Sequence, residues 1–201
     1  MNLETLTEVP TTPPSGLGRY RAEDYFGLPD EPRCELIYGR LYVTPSPAVR
    51  HQFLLTILSR RLSAIAERSG GLALVAPMDV TLADHSVVQP DLLYVSAQRL
   101  GIVRNRIEGA PDLLVEVLSP KTARRDRGEK LKLYAESDVR EYWLVDVAGR
   151  QIEFLVNRGR RFEVALPADG VYRSELVTEL ILDLDDLWLE VDRRLPESPG
   201  S

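Results

Sequence analysis

The chain has 201 residues and a formal net charge of −6 at pH 7, with 44% apolar and 28% charged residues. This composition is typical of one globular domain; no apolar run reaches the roughly 20 residues of a membrane span, and the acidic charge argues against a broad surface that coats nucleic acid. The single cysteine, Cys34, excludes an internal disulfide framework and favours a reducing cytoplasm.

The two ends of the chain differ in composition from the interior. Residues 1–19 are rich in Thr, Pro, Ser and Gly and lack the apolar region of a secretory signal, so they predict a flexible leader. Residues 195–201 predict a flexible tail for the same reason. The interval 20–194 contains no linker and no internal repeat, which predicts one domain.

Predicted elements in the first half of the chain begin with a short helix and a hairpin that turns at Tyr38-Gly39. A long helix follows, since its apolar residues recur with a helical period and it ends at Gly70-Gly71. In chain order the elements are a helix at Ala22–Phe26, strands at Cys34–Ile37 and 41–44, a helix at 48–67, and strands at Leu72–Val75, 78–82 and Leu92–Val95.

The second half begins with a polar, basic stretch at 97–110 that is predicted to be mostly loop. The near-continuous apolar run 113–118 then predicts a central strand that is buried on both faces. After it come a helix at 125–136, strands at Glu141–Asp146, 151–156 and 161–165, and a segment at 181–191 that fits either a strand or a short helix. The pattern indicates an α/β or α+β fold with a mixed β-sheet flanked by at least two helices.

Two carboxylates stand inside apolar strands. Asp91 follows Pro90, and Glu116 lies within the run LLVEVL, where an unpaired carboxylate is costly to bury. Neighbouring strands are only about 4.8 Å apart, so Asp91 and Glu116 can converge, whereas Asp112 and Glu116 on one strand are separated by about 13 Å. We therefore interpret Asp91 and Glu116 as a pair that binds a cation, while the alternative for Asp91 alone is a turn residue.

Two further residues are candidates for the same site. Glu35 begins an apolar strand and fits either the site or a solvent-facing strand edge, and His51 at the start of the long helix fits either the site or the surface. With two histidines and one cysteine in the chain, a zinc centre of the His/Cys type is disfavoured. Oxygen ligands favour Mg²⁺ or Mn²⁺.

Asp126, Lys130 and Tyr134 recur at every fourth residue, which places them on one face of the predicted helix. Lys130 would point toward the acids and stabilise charge or orient a water. The alternative is a surface ion pair with Asp126 that contributes about 0.3–0.5 kcal/mol. The nearby side chains of Arg124, Arg125 and Arg127 fit either contacts with a phosphate backbone or a solvated helix face.

Taken together, these segments resemble the PD-(D/E)xK nuclease superfamily and, more narrowly, the Uma-type family of restriction-endonuclease-like proteins. The resemblance extends over about residues 25–156. The segments that carry it are CELIYGRLYVTPSP, the HQ pair at 51–52, VVQPDLLYV, PDLLVEVLSP, DRGEKLKLY and EYWLVD.

This resemblance implies a restriction-endonuclease-like mixed sheet between helices and a metal-dependent phosphodiesterase centre. By motif match, Asp91 and Glu116 are the two principal acids and Glu35 is the additional upstream acid. The chain departs from the motif at Leu118, where the superfamily has its lysine, and Lys130 on the following helix is the candidate replacement.

The resulting hypothesis is a Mg²⁺- or Mn²⁺-dependent endodeoxyribonuclease, a hydrolase that acts on the ester bonds of DNA. Asp91, Glu116 and Glu35 would hold the metal, Lys130 would assist catalysis, and His51, Asp126 and Tyr134 are candidate site members. Double-strand cleavage would favour a homodimer. One alternative is a catalytically silent nuclease-like module that binds nucleic acid or a protein; the other is a glycosidase, which is disfavoured because Trp143 and Trp188 lie in apparent core or terminal segments.

Overall fold

The computed structural model describes residues 16–195. Over that range the chain forms five α-helices, one 3₁₀ helix, one π-helical turn and thirteen strands. The helices are α1 (Ala22–Phe26), α2 (Val49–Ser69), the 3₁₀ helix (Ala97–Ile102), α3 (Ala123–Arg125), the π turn (Asp126–Lys130), α4 (Leu131–Glu136) and α5 (Leu184–Arg194). The strands are β1 (Cys34–Ile37), β2 (Arg40–Val43), β3 (Leu72–Val75), β4 (Val80–Ala83), β5 (Ser86–Val88), β6 (Leu92–Val95), β7 (Ile107–Glu108), β8 (Leu113–Val117), β9 (Glu141–Asp146), β10 (Gln151–Asn157), β11 (Phe162–Ala165), β12 (Val171–Arg173) and β13 (Ile181–Asp183).

The strands form two large mixed sheets and a small one. The six-stranded sheet has the order β11-β10-β9-β8-β6-β3, the five-stranded sheet has the order β2-β1-β5-β4-β7, and β12 pairs with β13. Neighbouring strands are antiparallel except for β8–β9 and β4–β7. The predicted mixed sheet flanked by helices is therefore confirmed, with the strands divided between two such sheets.

Strand β8 is buried on both faces because two apolar layers enclose it. Alternate side chains of a strand point to opposite faces. Leu113, Val115 and Val117 join the core that packs against α2 and α5, while Leu114 joins the core that contains side chains of α4 and the five-stranded sheet. Glu116 is two residues after Leu114, so its side chain points to the same face of the sheet, toward the layer in which α4 lies.

Most predicted elements are confirmed. The bounds of α1, β1, β3, β6 and β9 match the prediction, and the predicted hairpin forms as the antiparallel pair β1–β2. Strands β10 and β11 also pair antiparallel. Helix α2 ends where the backbone of Gly70 enters the left-handed region (φ 71°) and its N–H is donated to Ala66, a C-cap geometry that glycine adopts readily.

Other predictions are corrected by the structure. The loop predicted at 97–110 contains the 3₁₀ helix and β7, and β5 had not been predicted as a separate strand. The ambiguous segment 181–191 is both elements in turn, because Asp183 ends β13 and its side chain caps the first turn of α5 by accepting a hydrogen bond from the N–H of Asp186 (3.0 Å). The helix predicted at 125–136 forms but is interrupted by the π turn.

The predicted leader and tail lie largely outside the described residues. Of the leader, residues 16–19 are described, and the N–H of Gly18 donates to the carbonyl of Tyr38 in the β1–β2 turn (2.7 Å). Among residues 16–195, none of the helices combines the length and the apolar character that crossing a membrane requires.

Candidate active site

Asp91 and Glu116 lie opposite each other on adjacent strands. Strands β6 and β8 are antiparallel with Leu92 paired to Val115, so the same register, extended by one residue, sets Asp91 against Glu116. The Oδ2 atom of Asp91 accepts a hydrogen bond from the backbone N–H of Val117 (2.7 Å), which fixes the carboxylate at the end of β8. The strand register thus brings together the two acids that the sequence singled out.

Lys130 and Tyr134 both contact the buried carboxylate of Glu116. The Nζ atom of Lys130 and the hydroxyl of Tyr134 donate to the same oxygen, Oε1, at 2.8 and 2.7 Å. None of the hydrogen bonds found among residues 16–195 involves Oε2 of Glu116. Leu118, in the position of the expected strand lysine, packs against the apolar core instead.

Glu35 belongs to the same cluster although it is on the other large sheet. Its Oε1 atom lies 2.8 Å from the Nζ of Lys130 and accepts the backbone N–H of Gln89 at 2.8 Å. The guanidinium of Arg125 approaches Oε2 of Glu35 (3.8 Å) and lies over the ring of Tyr42 at 4.3 Å from its centroid. Glu35 is 2% exposed, so the alternative of a solvent-facing strand edge is excluded.

The π turn places Asp126 and Lys130 in the interior. Both residues are buried, and Asp126 Oδ1 lies 3.7 Å from Lys130 Nζ, so the alternative of a surface ion pair is wrong. The backbone carbonyl of Asp126 accepts a hydrogen bond from the hydroxyl of Tyr142 (3.2 Å), and its backbone N–H donates to the carbonyl of Thr122 (3.0 Å). Single π turns within α-helices occur frequently at functional sites.

We call Glu35, Asp91, Glu116 and Asp126, together with Lys130, the carboxylate cluster. Burial raises the pKa of Glu116 well above its usual value; Lys130 opposes this shift, and the other three carboxylates add to it. Burial likewise raises the pKa of Asp126, against the effect of Lys130. A raised pKa means that ionisation of these two carboxyl groups costs more free energy in the folded protein than in water.

Lys130 only partly neutralises the cluster. Burial alone lowers the pKa of Lys130, but the surrounding carboxylates outweigh burial and hold the pKa above its ordinary value, so the ammonium stays charged. Ionisation of all four carboxylates beside Lys130 and Arg125 leaves two excess negative charges, and the raised pKa values of Glu116 and Asp126 oppose that state. A divalent cation carries the charge that would balance this excess.

His51 lies beside Asp91, in the first turn of α2. Its Nε2 atom is 3.3 Å from Oδ1 of Asp91. That nitrogen is buried and has no hydrogen-bond partner among the described residues. The structure therefore places His51 at the edge of the cluster, not on the surface.

The three predicted arginines do not share one environment. Arg125 lies beside the cluster, 3.8 Å from Glu35, whereas Arg127 is exposed and donates to Glu153 from Nε and Nη2 (3.0 and 2.6 Å). Arg124 is exposed to solvent. Of the three, Arg124 and Arg127 lie where an external polyanion could reach them.

The second Pro-Asp pair is separate from the site. Asp112 precedes β8 at the end remote from Glu116, is fully buried, and accepts hydrogen bonds from the backbone N–H of Ser96 (2.7 Å) and from Arg140 (3.0 Å). The negative charge of Asp112 is therefore already paired within the fold.

The residues present fit a hydrated divalent ion better than a fully protein-ligated one. Among residues 16–195, no three acid, histidine or cysteine side chains form a ready-made metal centre. Mg²⁺ commonly keeps several waters and binds through one or two carboxylates. Asp91 Oδ1, Glu116 Oε2 and the unpartnered nitrogen of His51 are the atoms that could hold such an ion.

Comparison with known proteins assigns the chain to a family. The model of the Uma2 family, described as "Putative restriction endonuclease", matches residues 22–191. The chain belongs to the Uma2 family. The structure is also similar to that of a protein from Anabaena variabilis described as a "putative nuclease belonging to DUF820", with a TM-score of 0.73 and 19% identity over 86% of this chain and 99% of that one. At this identity the likeness establishes the fold alone, and no curated protein matches the chain.

Membership of the Uma2 family supports a nuclease-like function with a nucleic acid substrate. The site also contains residues that sequence reasoning missed, namely Gln89, whose N–H binds Glu35, and Tyr42, under Arg125. The signal for Tyr42 was available in the sequence, because a tight turn at Tyr38-Gly39 pairs Glu35 with Tyr42 across the hairpin. No local pattern predicts the contact from Gln89, since β5 and β1 are distant in sequence.

Proposed function

We propose that this Uma2 protein is a metal-dependent endonuclease that hydrolyses phosphodiester bonds in DNA, with residues 20–194 acting as one nuclease-like domain. The observation that supports it best is the opposition of Asp91 and Glu116 across β6 and β8 with the ammonium of Lys130 on the Glu116 carboxylate. Fully ionised, the cluster carries two excess negative charges, which a divalent cation such as Mg²⁺ or Mn²⁺ would balance.

Each residue has a role that follows from its contacts. Asp91 and Glu116 would bind the cation through Oδ1 and Oε2, and Glu35 would assist, directly or through water. When bound, the cation would lower the pKa of a water and neutralise charge that develops on the phosphate. Lys130 would hold Glu116 in place and stabilise the same developing charge, and Tyr134 would fix the orientation of the Glu116 carboxylate.

DNA would approach from the side of the exposed helix start. Arg124 is the candidate contact with a backbone phosphate, since it is exposed and two residues from the cluster member Asp126. Arg127 would contribute only after release from Glu153. An acidic chain with a few arginines beside the site is suited to local phosphate contacts rather than to coating of DNA.

Cleavage of plasmid and single-stranded DNA with Mg²⁺ or Mn²⁺ tests the proposal. Wild-type protein should cleave with either ion and stop on chelation. Glu116→Gln should lose cleavage, whereas Glu153→Gln, the same change on an exposed strand residue, should not. Intact DNA under all conditions, or cleavage that persists in Glu116→Gln, would contradict the proposal.

A catalytically silent module that binds nucleic acid is the second candidate. It is favoured by Lys130, which already bridges Glu35 and Glu116 at 2.8 Å, and by Leu118 at the usual lysine position. Such a module would bind DNA equally well with and without a chelator and would never cleave it, so filter binding beside the cleavage assay distinguishes the two candidates.

Cleavage of both strands of a duplex favours a homodimer with one centre for each strand. Sedimentation of the protein alone and with a short duplex tests this. A monomer under both conditions, in a protein that cuts both strands at one site, would contradict it.

A further inference from the structure

The imidazole of His51 has an unusual environment for a buried polar group. Its side chain is 13% exposed, its Nε2 atom is buried, and no described group forms a hydrogen bond with that atom. Buried polar atoms without a partner are rare in folded proteins and generally have an explanation, such as an ion or water. An ion at this position would satisfy the nitrogen.

The nearest charged atom to this nitrogen in the cluster is Oδ1 of Asp91, at 3.3 Å. The other oxygen of Asp91 already accepts a hydrogen bond from the backbone N–H of Val117, which leaves Oδ1 as the carboxylate oxygen beside Nε2. The contact lacks hydrogen-bond geometry, although an aspartate–imidazolium pair would ordinarily form a short, aligned hydrogen bond.

The distance fits two ligands of one metal ion. Ligand atoms that lie about 2.0–2.2 Å from one ion can be up to about 4 Å apart, so the separation of 3.3 Å allows Asp91 Oδ1 and His51 Nε2 to hold the same ion.

We propose that His51 is a nitrogen ligand of the metal site, adjacent to Asp91, and that it makes the site select Mn²⁺ over Mg²⁺. This inference rests on the proposed function, since it concerns the same cation. Both ions accept carboxylate oxygens, but Mn²⁺ is the softer ion and accepts an imidazole nitrogen more readily than Mg²⁺, which prefers oxygen donors and retains water. The site would thus bind Mn²⁺ through Nε2 and bind Mg²⁺ chiefly through carboxylates and water.

Electron spin-echo spectroscopy of Mn²⁺ bound to the full chain tests the assignment directly, because it detects nitrogen nuclei bonded to the metal. The chain has two histidines, so His85→Gln is a matched control; His85 Nδ1 lies 2.9 Å from the carbonyl of Tyr20, away from the cluster. We expect imidazole ¹⁴N modulation in wild type and in His85→Gln, and its loss in His51→Gln. We also expect the Mn²⁺ affinity of His51→Gln to fall by at least ~10-fold while the Mg²⁺ affinity changes less.

A second measurement needs no substitution at position 51. Selective ¹⁵N labelling of histidine in the His85→Gln protein should convert the ¹⁴N modulation into a ¹⁵N signal from His51 alone. Manganese that binds without any nitrogen signal would overturn this inference and leave the proposed metal dependence intact. Failure of wild type to bind either ion would overturn both.

Discussion

Replacement of Lys130 by Met tests how the carboxylate cluster is held together. The ammonium lies 2.8 Å from Glu35, 2.8 Å from Glu116 and 3.7 Å from Asp126, and its side chain is 4% exposed. Methionine has a similar length and no charge, so the change removes the cation with little change in volume. Three buried carboxylates would then lack their common partner.

The expected loss follows from the cost of leaving a buried ion pair broken, about 3–5 kcal/mol. Arg125 offsets little of this, since its nearest contact with the cluster is 3.8 Å from Glu35. For a domain of this size, each kcal/mol lowers the Tm by about 2–4 °C, so we expect a fall of about 6–20 °C. Thermal unfolding followed by circular dichroism near neutral pH measures it.

Lys132→Met is the matched control. Lys132 is 67% exposed and lies 3.8 Å from Glu136, an exposed i,i+4 pair that contributes little to stability. We expect its Tm to stay within about 2–4 °C of wild type, which corresponds to less than about 1 kcal/mol.

The loss in Lys130→Met should depend on pH in a defined direction. The pKa values of Glu116 and Asp126 are raised by burial in the folded protein, so these groups bind protons more readily when folded than when unfolded. Their contribution is therefore most favourable at low pH and declines as pH rises from the unfolded pKa values, about 3.9 for Asp126 and about 4.3 for Glu116, through the raised folded values. Loss of Lys130 raises those pKa values further, so the Tm gap from wild type should be smaller near pH 5 than near pH 8. A loss of Tm no larger than that of Lys132→Met, or a loss that does not change with pH, would refute the inference that Lys130 stabilises the buried carboxylates.

Three further changes test other parts of the site. Tyr134→Phe removes a buried hydrogen bond of 2.7 Å to the β8 carboxylate and should cost about 1.5–3 kcal/mol in urea unfolding; an unchanged midpoint would show that the hydroxyl stabilises nothing. Arg124→Ala should weaken DNA binding and reduce the slope of its salt dependence by about 1, and an unchanged slope would remove Arg124 from the interface, with Arg127→Ala as a comparison. Leu118→Lys introduced into Lys130→Met should recover part of the lost Tm, because the side chain at position 118 points to the same face of the sheet as Glu116. No recovery would show that a lysine on the strand cannot replace the lysine on the helix.

Sequence patterns predicted the strands and helices best where the patterns were long or uninterrupted. The apolar runs gave β6, β8 and β9, and the spacing of apolar residues gave α2. The short strands β5 and β7 were missed because two or three residues carry no periodicity, and their pairing depends on contacts distant in sequence.

The candidate site was likewise predicted only in part from the sequence. Strand spacing was enough to select Asp91 and Glu116, because pairing distances between strands are fixed. The contact of Lys130 with Glu35 could not be derived from the sequence, since it joins the helix after β8 to the other large sheet. The π turn also carries no recognised signal in DRGEKLKLY, yet it sets the direction in which Asp126 and Lys130 point.

The excess charge of the cluster argues for function over stability. A cluster selected only to stabilise the fold would pair each acid, as Asp112 is paired with Arg99 and Arg140. The carboxylate cluster instead buries more acids than cations and raises the pKa of Glu116, an arrangement that costs free energy in the absence of a ligand. Folded proteins tolerate such costs mainly where activity needs them. Under the proposed function, a substrate phosphate would meet repulsion from these acids, and from the acidic chain as a whole, unless a cation were bound first. Engagement of DNA at the centre would then depend on the cation.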